Sequence, residues 1–103
     1  MIWDSSDHWD SRVVEYSGWR LIWNYESFEP RAGVYVFADA NLSVKYVGKA
    51  GPGRMVVEVA SAIRRGKDYM ATRVKALYTN SDDRAKSLER DLIRAYNPPN
   101  NFA

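Results

Sequence analysis

The segment GVYVFADANLSVKYVGKA, residues 33–50, indicates the fold of the chain more clearly than any other stretch. Two runs within it, 33–39 and 43–49, are rich in β-branched and aromatic residues, the composition that is typical of strands. The short polar stretch from Asp39 to Leu42 separates the two runs and suits a turn. The segment therefore predicts an antiparallel β-hairpin in the middle of the chain.

A helix is predicted directly after this hairpin. The glycine-rich sequence AGPGR, residues 50–54, suits a turn, and Gly66 suits the end of a helix. Between them, apolar residues recur at helical spacing: Met55, Val56, Val59, Ala62 and Ile63. Valine lowers the intrinsic helix propensity, so we expect packing against the sheet to stabilise this helix.

A further strand is predicted within residues 69–80, where apolar and polar residues alternate. Arg73 and Lys75 fall on one face of the alternation, which we expect to be the basic, outer face. The other face is apolar and is expected to join the core: Met70, Val74, Ala76 and Tyr78.

The last helix is predicted to begin after Ser81 and to end at Asn97, before two prolines. Its apolar stripe comprises Ala85, Leu88, Leu92, Ile93 and Tyr96. Glu89 falls inside this stripe, although an unpaired ionised carboxylate is costly to bury. Three explanations remain open: an ion pair with an arginine, a position at the edge of the stripe that reaches water, or a cleft in which Glu89 holds a cation.

The N-terminal region is expected to extend the sheet. Residues 1–11 are polar and predict a mobile arm, and nothing in the sequence fixes the acidic residues and His8 as a metal site. Alternation over residues 13–25 predicts at least one strand, with Trp19 and Trp23 in the core.

Composition excludes several classes of protein. The 103 residues suit one domain, and none of them is cysteine, which excludes disulfides, thiolate metal sites and cysteine nucleophiles. We expect no secretory signal and no membrane span, and take the cytoplasm as the expected location. Residues 45–103 contain twelve Lys/Arg against six Asp/Glu, which favours a polyanionic partner, although a solvated basic surface explains the charge equally well.

The hairpin and the last helix together resemble the GIY-YIG nuclease family. The resemblance rests on GVY, on YVGKA with its tyrosine eleven residues after the first, and on the tail LERDLIRAYNPPNN. It covers about residues 31–102, and it implies an α/β domain over 31–103. The expected core is a small, mainly antiparallel, three-stranded sheet flanked by helices. Residues 1–30 would form an N-terminal arm and extension strand.

The resemblance also implies a role for individual residues. Glu89 corresponds to the single ligand of a divalent cation, Mg²⁺ or Mn²⁺. Tyr35 and Tyr46 correspond to the two signature tyrosines, one of which activates the attacking water; which one stays open. The expected catalytic set is completed by Lys49, by Arg54 at the start of the first helix, and by Asn101 as the terminal asparagine.

Two other asparagines, and one position at which the chain differs from the family pattern, complicate this assignment. Asn97 and Asn100 are alternatives to Asn101. The family often places a histidine one turn after its arginine, and this chain has Glu58 there.

The function implied is that of a metal-dependent DNA endonuclease, with a homodimer or a partner protein supplying specificity. We expect the phosphate-contacting residues to be Arg64, Arg65, Arg73, Lys75, Arg90 and Arg94. The alternative is a catalytically silent DNA-binding module of the same fold. An adaptor that uses the acidic, Trp-rich N-terminus is a third reading.

Overall fold

The predicted hairpin forms the centre of an antiparallel sheet in the computed structural model, which describes residues 1–102. Strand β3 (Gly33–Ala38) pairs with β4 (Val44–Ala50), and the side chain of Asp39 accepts hydrogen bonds from two backbone amides of the intervening turn. Strand β5 (Arg73–Thr79) pairs with the other side of β3. This confirms the predicted α/β class with its mainly antiparallel core.

The N-terminal region adds two short strands to the outer side of β5. Strands β1 (Val13–Tyr16) and β2 (Arg20–Leu21) both pair antiparallel with β5. The strand order β1-β5-β3-β4 leaves β4 at the opposite edge of the sheet. The catalytic candidates on β4 therefore lie at a sheet edge.

One face of the sheet is covered by helix α1 (Met55–Arg64). Met55, Val59 and Ala62 are buried against this face, as the helical spacing predicted. Gly66 follows in the left-handed conformation with φ of 75°, which glycine adopts readily, and it ends the helix where the sequence predicted.

The other face is covered by helix α2 (Asp82–Tyr96). Ser81 caps it by accepting a hydrogen bond from the Arg84 amide, and Asn97 ends it with φ of 47° before the two prolines. The predicted stripe is confirmed, since Ala85, Leu88, Leu92 and Tyr96 are buried and Ile93 packs beside them. No helix within residues 1–102 has the length and apolar character needed to cross a bilayer.

The prediction of at least one strand within residues 13–25 is confirmed by β1 and β2, but the alternation does not continue as a strand beyond Leu21. The chain turns into a short 3-10 helix, Ile22–Ser27, in which Ile22 is buried while Trp23 is 65% exposed. Of the two tryptophans predicted as core, Trp19 packs against the α2 side of the core, whereas Trp23 does not. Ile22 and Phe28, which bracket this turn, are instead the residues that pack under α1.

Residues 1–11, predicted as a mobile polar arm, pack against α2. Trp3 is buried and stacks on Tyr96, with ring centroids 5.3 Å apart. The Tyr96 hydroxyl accepts a hydrogen bond from the Asp4 amide and donates one to Asp7. The prediction failed because the stacking partner of Trp3 lies more than ninety positions away, where no local pattern reveals it.

Lys75 is also placed differently from the prediction, because it is buried. It shares a face of β5 with Leu77, and this face is covered by α2 and the N-terminal residues. Its Nζ lies 2.5 Å from His8 Nε2, among the rings of Trp3, Tyr16 and Trp19. Lys75 is therefore not available to contact DNA phosphates.

Burial of Lys75 should make stability depend on alkaline pH. Removal from water lowers the pKa of Lys75 from 10.5 to about 8. Between these values the unfolded chain binds the proton that the folded chain has lost, so the stability of the wild type rises with pH. We expect this rise to be missing in Lys75→Met. The free energy of unfolding of the wild type should therefore rise relative to that of the variant by at most about 1.4 kcal/mol per pH unit.

Urea unfolding of both proteins from pH 7 to 10.5 measures this difference. Lys86→Met is the matched control, because the Lys86 side chain is exposed on α2. Parallel curves for the wild type and Lys75→Met would contradict the placement of the ammonium group in the core.

Candidate active site

Tyr35 lies across the edge strand because Gly48 leaves room for its ring. The two residues are direct partners in the β3–β4 pairing. A Cβ atom at Gly48 would lie 2.2 Å from Tyr35 Cζ and 2.3 Å from its hydroxyl oxygen. A side chain at position 48 is therefore incompatible with this position of the Tyr35 ring. This explains why the YVGKA motif has glycine at position 48.

Tyr35 and Tyr46 differ in the hydrogen bonding and solvent access of their hydroxyl groups. The Tyr35 hydroxyl donates to the backbone carbonyl of Glu58 at 3.4 Å, and burial raises the pKa of Tyr35 well above its ordinary value. The Tyr46 ring lies 6.2 Å away between centroids. Among residues 1–102 the Tyr46 hydroxyl has no hydrogen-bond partner, and it is not sealed from solvent. Tyr46 is therefore the tyrosine whose hydroxyl is free to bind water.

Glu89 is half-buried on α2 and has no hydrogen bond or ion pair to any residue between 1 and 102. Its desolvation raises the pKa of Glu89, the nearby charge of Lys49 opposes this rise, and that of Asp82 adds to it. Lys49 itself is bound to Asp82, with Nζ 2.6 Å from Oδ1. Of the three explanations for Glu89, the structural ion pair with an arginine is therefore excluded by these contacts.

Glu89 lies close enough to Tyr35 for its charge to act on that hydroxyl, although the two residues belong to opposite faces of the sheet. The negative charge of Glu89 contributes to the raised pKa of Tyr35, while the positive charge of Arg65 counteracts it. Such effects require proximity. Because β4 is the last strand in the order of the sheet, groups from α1 and from α2 can both approach its outer side.

Asn101 braces this edge strand from outside the sheet. Its side-chain amide accepts a hydrogen bond from the Val47 amide and donates one to the Val47 carbonyl, both at 2.9 Å. Asn101 thus satisfies the backbone groups that an edge strand leaves unpaired. Asn100, by contrast, is buried and binds the carbonyls of Lys67 and Tyr69.

Arg54 is the N-cap residue of α1, where no side chain caps the first amides of the helix. Its guanidinium is more than half exposed, and Nη2 lies 3.4 Å from Glu58 Oε1. A helix N-terminus with free amides and an adjacent arginine favours an anion such as phosphate.

The donor set fits a hard divalent cation with few protein ligands. No group of three or more metal-binding side chains occurs within residues 1–102, and Glu89 is a carboxylate without a protein partner there. Its oxygens reach the surface, because the described residues contain no fully buried side-chain oxygen without a partner. Mg²⁺ commonly binds through one or two carboxylates and keeps several waters.

The remaining candidates are distributed over the surface. Arg64, Arg90 and Arg94 are exposed, and Arg73 bonds only weakly to Thr72, at 3.5 Å. Sequence reasoning did not include Asp82 in the site, although it is bound to Lys49 and acts on the pKa of Glu89. The seven-residue spacing between Asp82 and Glu89 could have indicated that they are neighbours, because it places both on one side of a helix.

Comparison with solved structures identifies a similar domain. The GIY-YIG N-terminal endonuclease domain of UvrC from Thermotoga maritima, a point mutant bound to its catalytic divalent cation, superposes with a TM-score of 0.64 at 23% identity. The match covers 77% of this chain and 92% of that domain. No protein-family model and no curated protein matches the sequence. The chain therefore has the GIY-YIG fold.

Proposed function

We propose that this protein is a metal-dependent DNA endonuclease that hydrolyses a phosphodiester bond with one divalent cation and a tyrosine-activated water. The observation that carries the proposal is Glu89, a desolvated carboxylate without a protein partner among residues 1–102, whose charge interacts with Tyr35 and Lys49. The likeness to a GIY-YIG endonuclease domain that binds a divalent cation supports it.

Glu89 would hold Mg²⁺ or Mn²⁺, which supplies a positive charge that stabilises the developing charge on the phosphate oxygens. Tyr46, in its phenolate form, would accept the proton of the attacking water, because its side-chain oxygen is open to solvent. Tyr35 serves this role less well, since its hydroxyl already donates to the Glu58 carbonyl and its raised pKa disfavours the phenolate.

The cationic residues act on the phosphate. Arg54 and the free amides of α1 bind a phosphate oxygen, and Lys49 lies close enough to Glu89 to affect its pKa. Asn101 keeps β4, and with it Tyr46, in position through the Val47 backbone. The exposed Arg64, Arg90 and Arg94 contact the flanking backbone, so affinity falls as salt is added.

One observation favours the alternative of a catalytically silent DNA-binding module. Glu58 occupies the position where the family often has a histidine, and its carboxylate pairs with Arg54. That pairing reduces the charge available to a phosphate. The pair is largely exposed, however, and DNA phosphate competes effectively with exposed ion pairs.

A nicking assay tests the proposal. We expect the wild type to relax supercoiled plasmid with Mg²⁺ or Mn²⁺ and not with EDTA. Tyr46→Phe should lose about 10²-fold or more in rate, since general-base catalysis is worth about that much. Tyr35→Phe, which loses only the bond to the Glu58 carbonyl, should lose less. DNA binding that falls with salt but no cutting under any condition would favour the silent module, and equal losses in the two variants would contradict the assignment of Tyr46.

A further inference from the structure

A second concave feature lies beside the candidate active site, at the C-terminal end of α1. It is a cavity of about 310 Å³ lined by Arg65, Gly66, Lys67, Tyr69 and Asn100. Among residues 1–102, those that line it include no acidic side chain. The cavity therefore combines two cations, an aromatic ring and a side-chain amide.

The loop that forms this cavity is held in a fixed conformation. Asn100 is buried, and its Nδ2 donates to the carbonyls of Lys67 at 2.9 Å and Tyr69 at 2.8 Å. Met70 adopts a left-handed φ of 65°, which costs a non-glycine residue free energy. The loop nevertheless leaves the Tyr69 side chain in solvent, and Tyr69 as a whole is 70% exposed. Among residues 1–102 the Tyr69 side chain has no hydrogen-bond or ring partner, so its ring can contact a ligand.

The cavity adjoins the two tyrosines of the candidate active site. Lys67 Nζ lies 5.8 Å from the centroid of the Tyr46 ring. The charge of Arg65 lowers the pKa of Tyr35, which places the guanidinium within electrostatic range of that hydroxyl. Asn100 immediately precedes Asn101, which braces β4. A ligand in the cavity would therefore be close to whatever Tyr46 acts on.

We infer that this cavity receives an unpaired nucleotide next to the scissile phosphate, with its base stacked on Tyr69 and its phosphate at Arg65. The inference rests on the proposed nuclease function. Aromatic rings beside cations are the usual means of binding unpaired nucleotides, and stacking accepts any base. Both amide protons of Asn100 are already bonded to the backbone, so they read no base edge.

The consequence is a preference for DNA with an unpaired nucleotide. In a continuous duplex both faces of each base are covered by its neighbours, so stacking on Tyr69 requires the base to leave the helix. A single-nucleotide bulge or a flap removes that cost. The substrate class inferred is therefore branched or locally unpaired DNA rather than intact duplex.

Binding measured in EDTA tests this without relying on cutting. Fluorescein-labelled duplexes of equal length, one continuous, one bulged and one with a flap, are titrated by anisotropy. We expect the wild type to bind the unpaired forms roughly tenfold more tightly, and Tyr69→Ala to lose this preference while its affinity for continuous duplex changes less than about twofold. Tyr69→Phe keeps the ring and should keep the preference.

Trp9→Ala is the matched control, since Trp9 is 81% exposed on the N-terminal 3-10 helix, outside the cavity. A preference that survives in Tyr69→Ala, or that Trp9→Ala removes equally, overturns the inference. If the wild type cuts plasmid but Tyr69→Ala binds like the wild type, only this inference fails. If no DNA is cut but the preference depends on Tyr69, the binding site stands and the nuclease proposal fails.

Discussion

Glu89→Gln should be nearly inactive and yet more stable than the wild type at neutral pH. Loss of the only carboxylate proposed to hold the cation should reduce cutting by about 10³-fold or more, since a bound metal contributes several kcal/mol to the transition state. The gain in stability follows from desolvation, which raises the pKa of Glu89 and so opposes its ionised form in the folded protein. A neutral amide of the same shape does not incur this cost.

The sign of the pH dependence of stability distinguishes a metal-binding Glu89, which destabilises the fold, from a Glu89 that stabilises it. Because the folded pKa of Glu89 is raised, the folded protein binds the proton more readily than the unfolded chain. Its contribution to stability is present below the ordinary pKa of 4.5 and is lost as pH rises through the folded value. Urea midpoints from pH 4 to 7 should therefore decline less in Glu89→Gln than in the wild type.

Asp83→Asn is the matched control for these measurements, because Asp83 is an exposed carboxylate in the first turn of the same helix. Mg²⁺ should raise the melting temperature of the wild type and of Asp83→Asn but not of Glu89→Gln, since a ligand stabilises only the state that binds it. A Glu89→Gln protein that is less stable than the wild type at pH 7 would show that Glu89 is a structural residue.

Gly48→Ala should damage both folding and catalysis. The new methyl group would overlap Tyr35 Cζ at 2.2 Å, and Tyr35 is almost fully buried, so its ring has no free space to enter. Either the ring or strand β4 must move. We expect a loss of about 2–4 kcal/mol in the free energy of unfolding and about 10²-fold in cutting rate, because Tyr46 on the same strand is displaced.

Two further variants separate this overlap from a general effect of alanine. Gly18→Ala is the control, since a Cβ atom at Gly18 meets nothing within 4 Å. Tyr35→Leu removes the far end of the ring, so Gly48→Ala should be less destabilising in that background than alone. Equal effects in both backgrounds would contradict the contact between Gly48 and the ring as the cause.

The elements that could be predicted from the sequence are those with local signals. The hairpin has strand-forming runs around a turn, and both helices have apolar stripes with a cap or a glycine at their ends. The failures share a cause, which is packing between distant segments. Lys75 looked like a surface residue because nothing near it in sequence shows that Trp3, Tyr16 and Trp19 cover it.

The candidate site was accessible to sequence reasoning for a different reason. Glu89 stood out because it interrupts an apolar stripe, and the order and spacing of the signature residues supplied the rest. The difference between the two tyrosines could not be predicted in this way. It depends on the Glu58 carbonyl, which reaches Tyr35 only once α1 is packed on the sheet.

The contact between the first residues and α2 has a consequence for how the protein reaches its native state. Asp4 and Tyr96, which are hydrogen-bonded, are 92 positions apart. A ribosome that adds about 5–20 residues per second needs roughly 5–20 s to supply the second partner after the first. Throughout that interval Trp3 has no stacking partner. The face of the sheet beneath α2 is therefore completed only after residue 96 has been synthesised, and contacts of such long range favour slow folding.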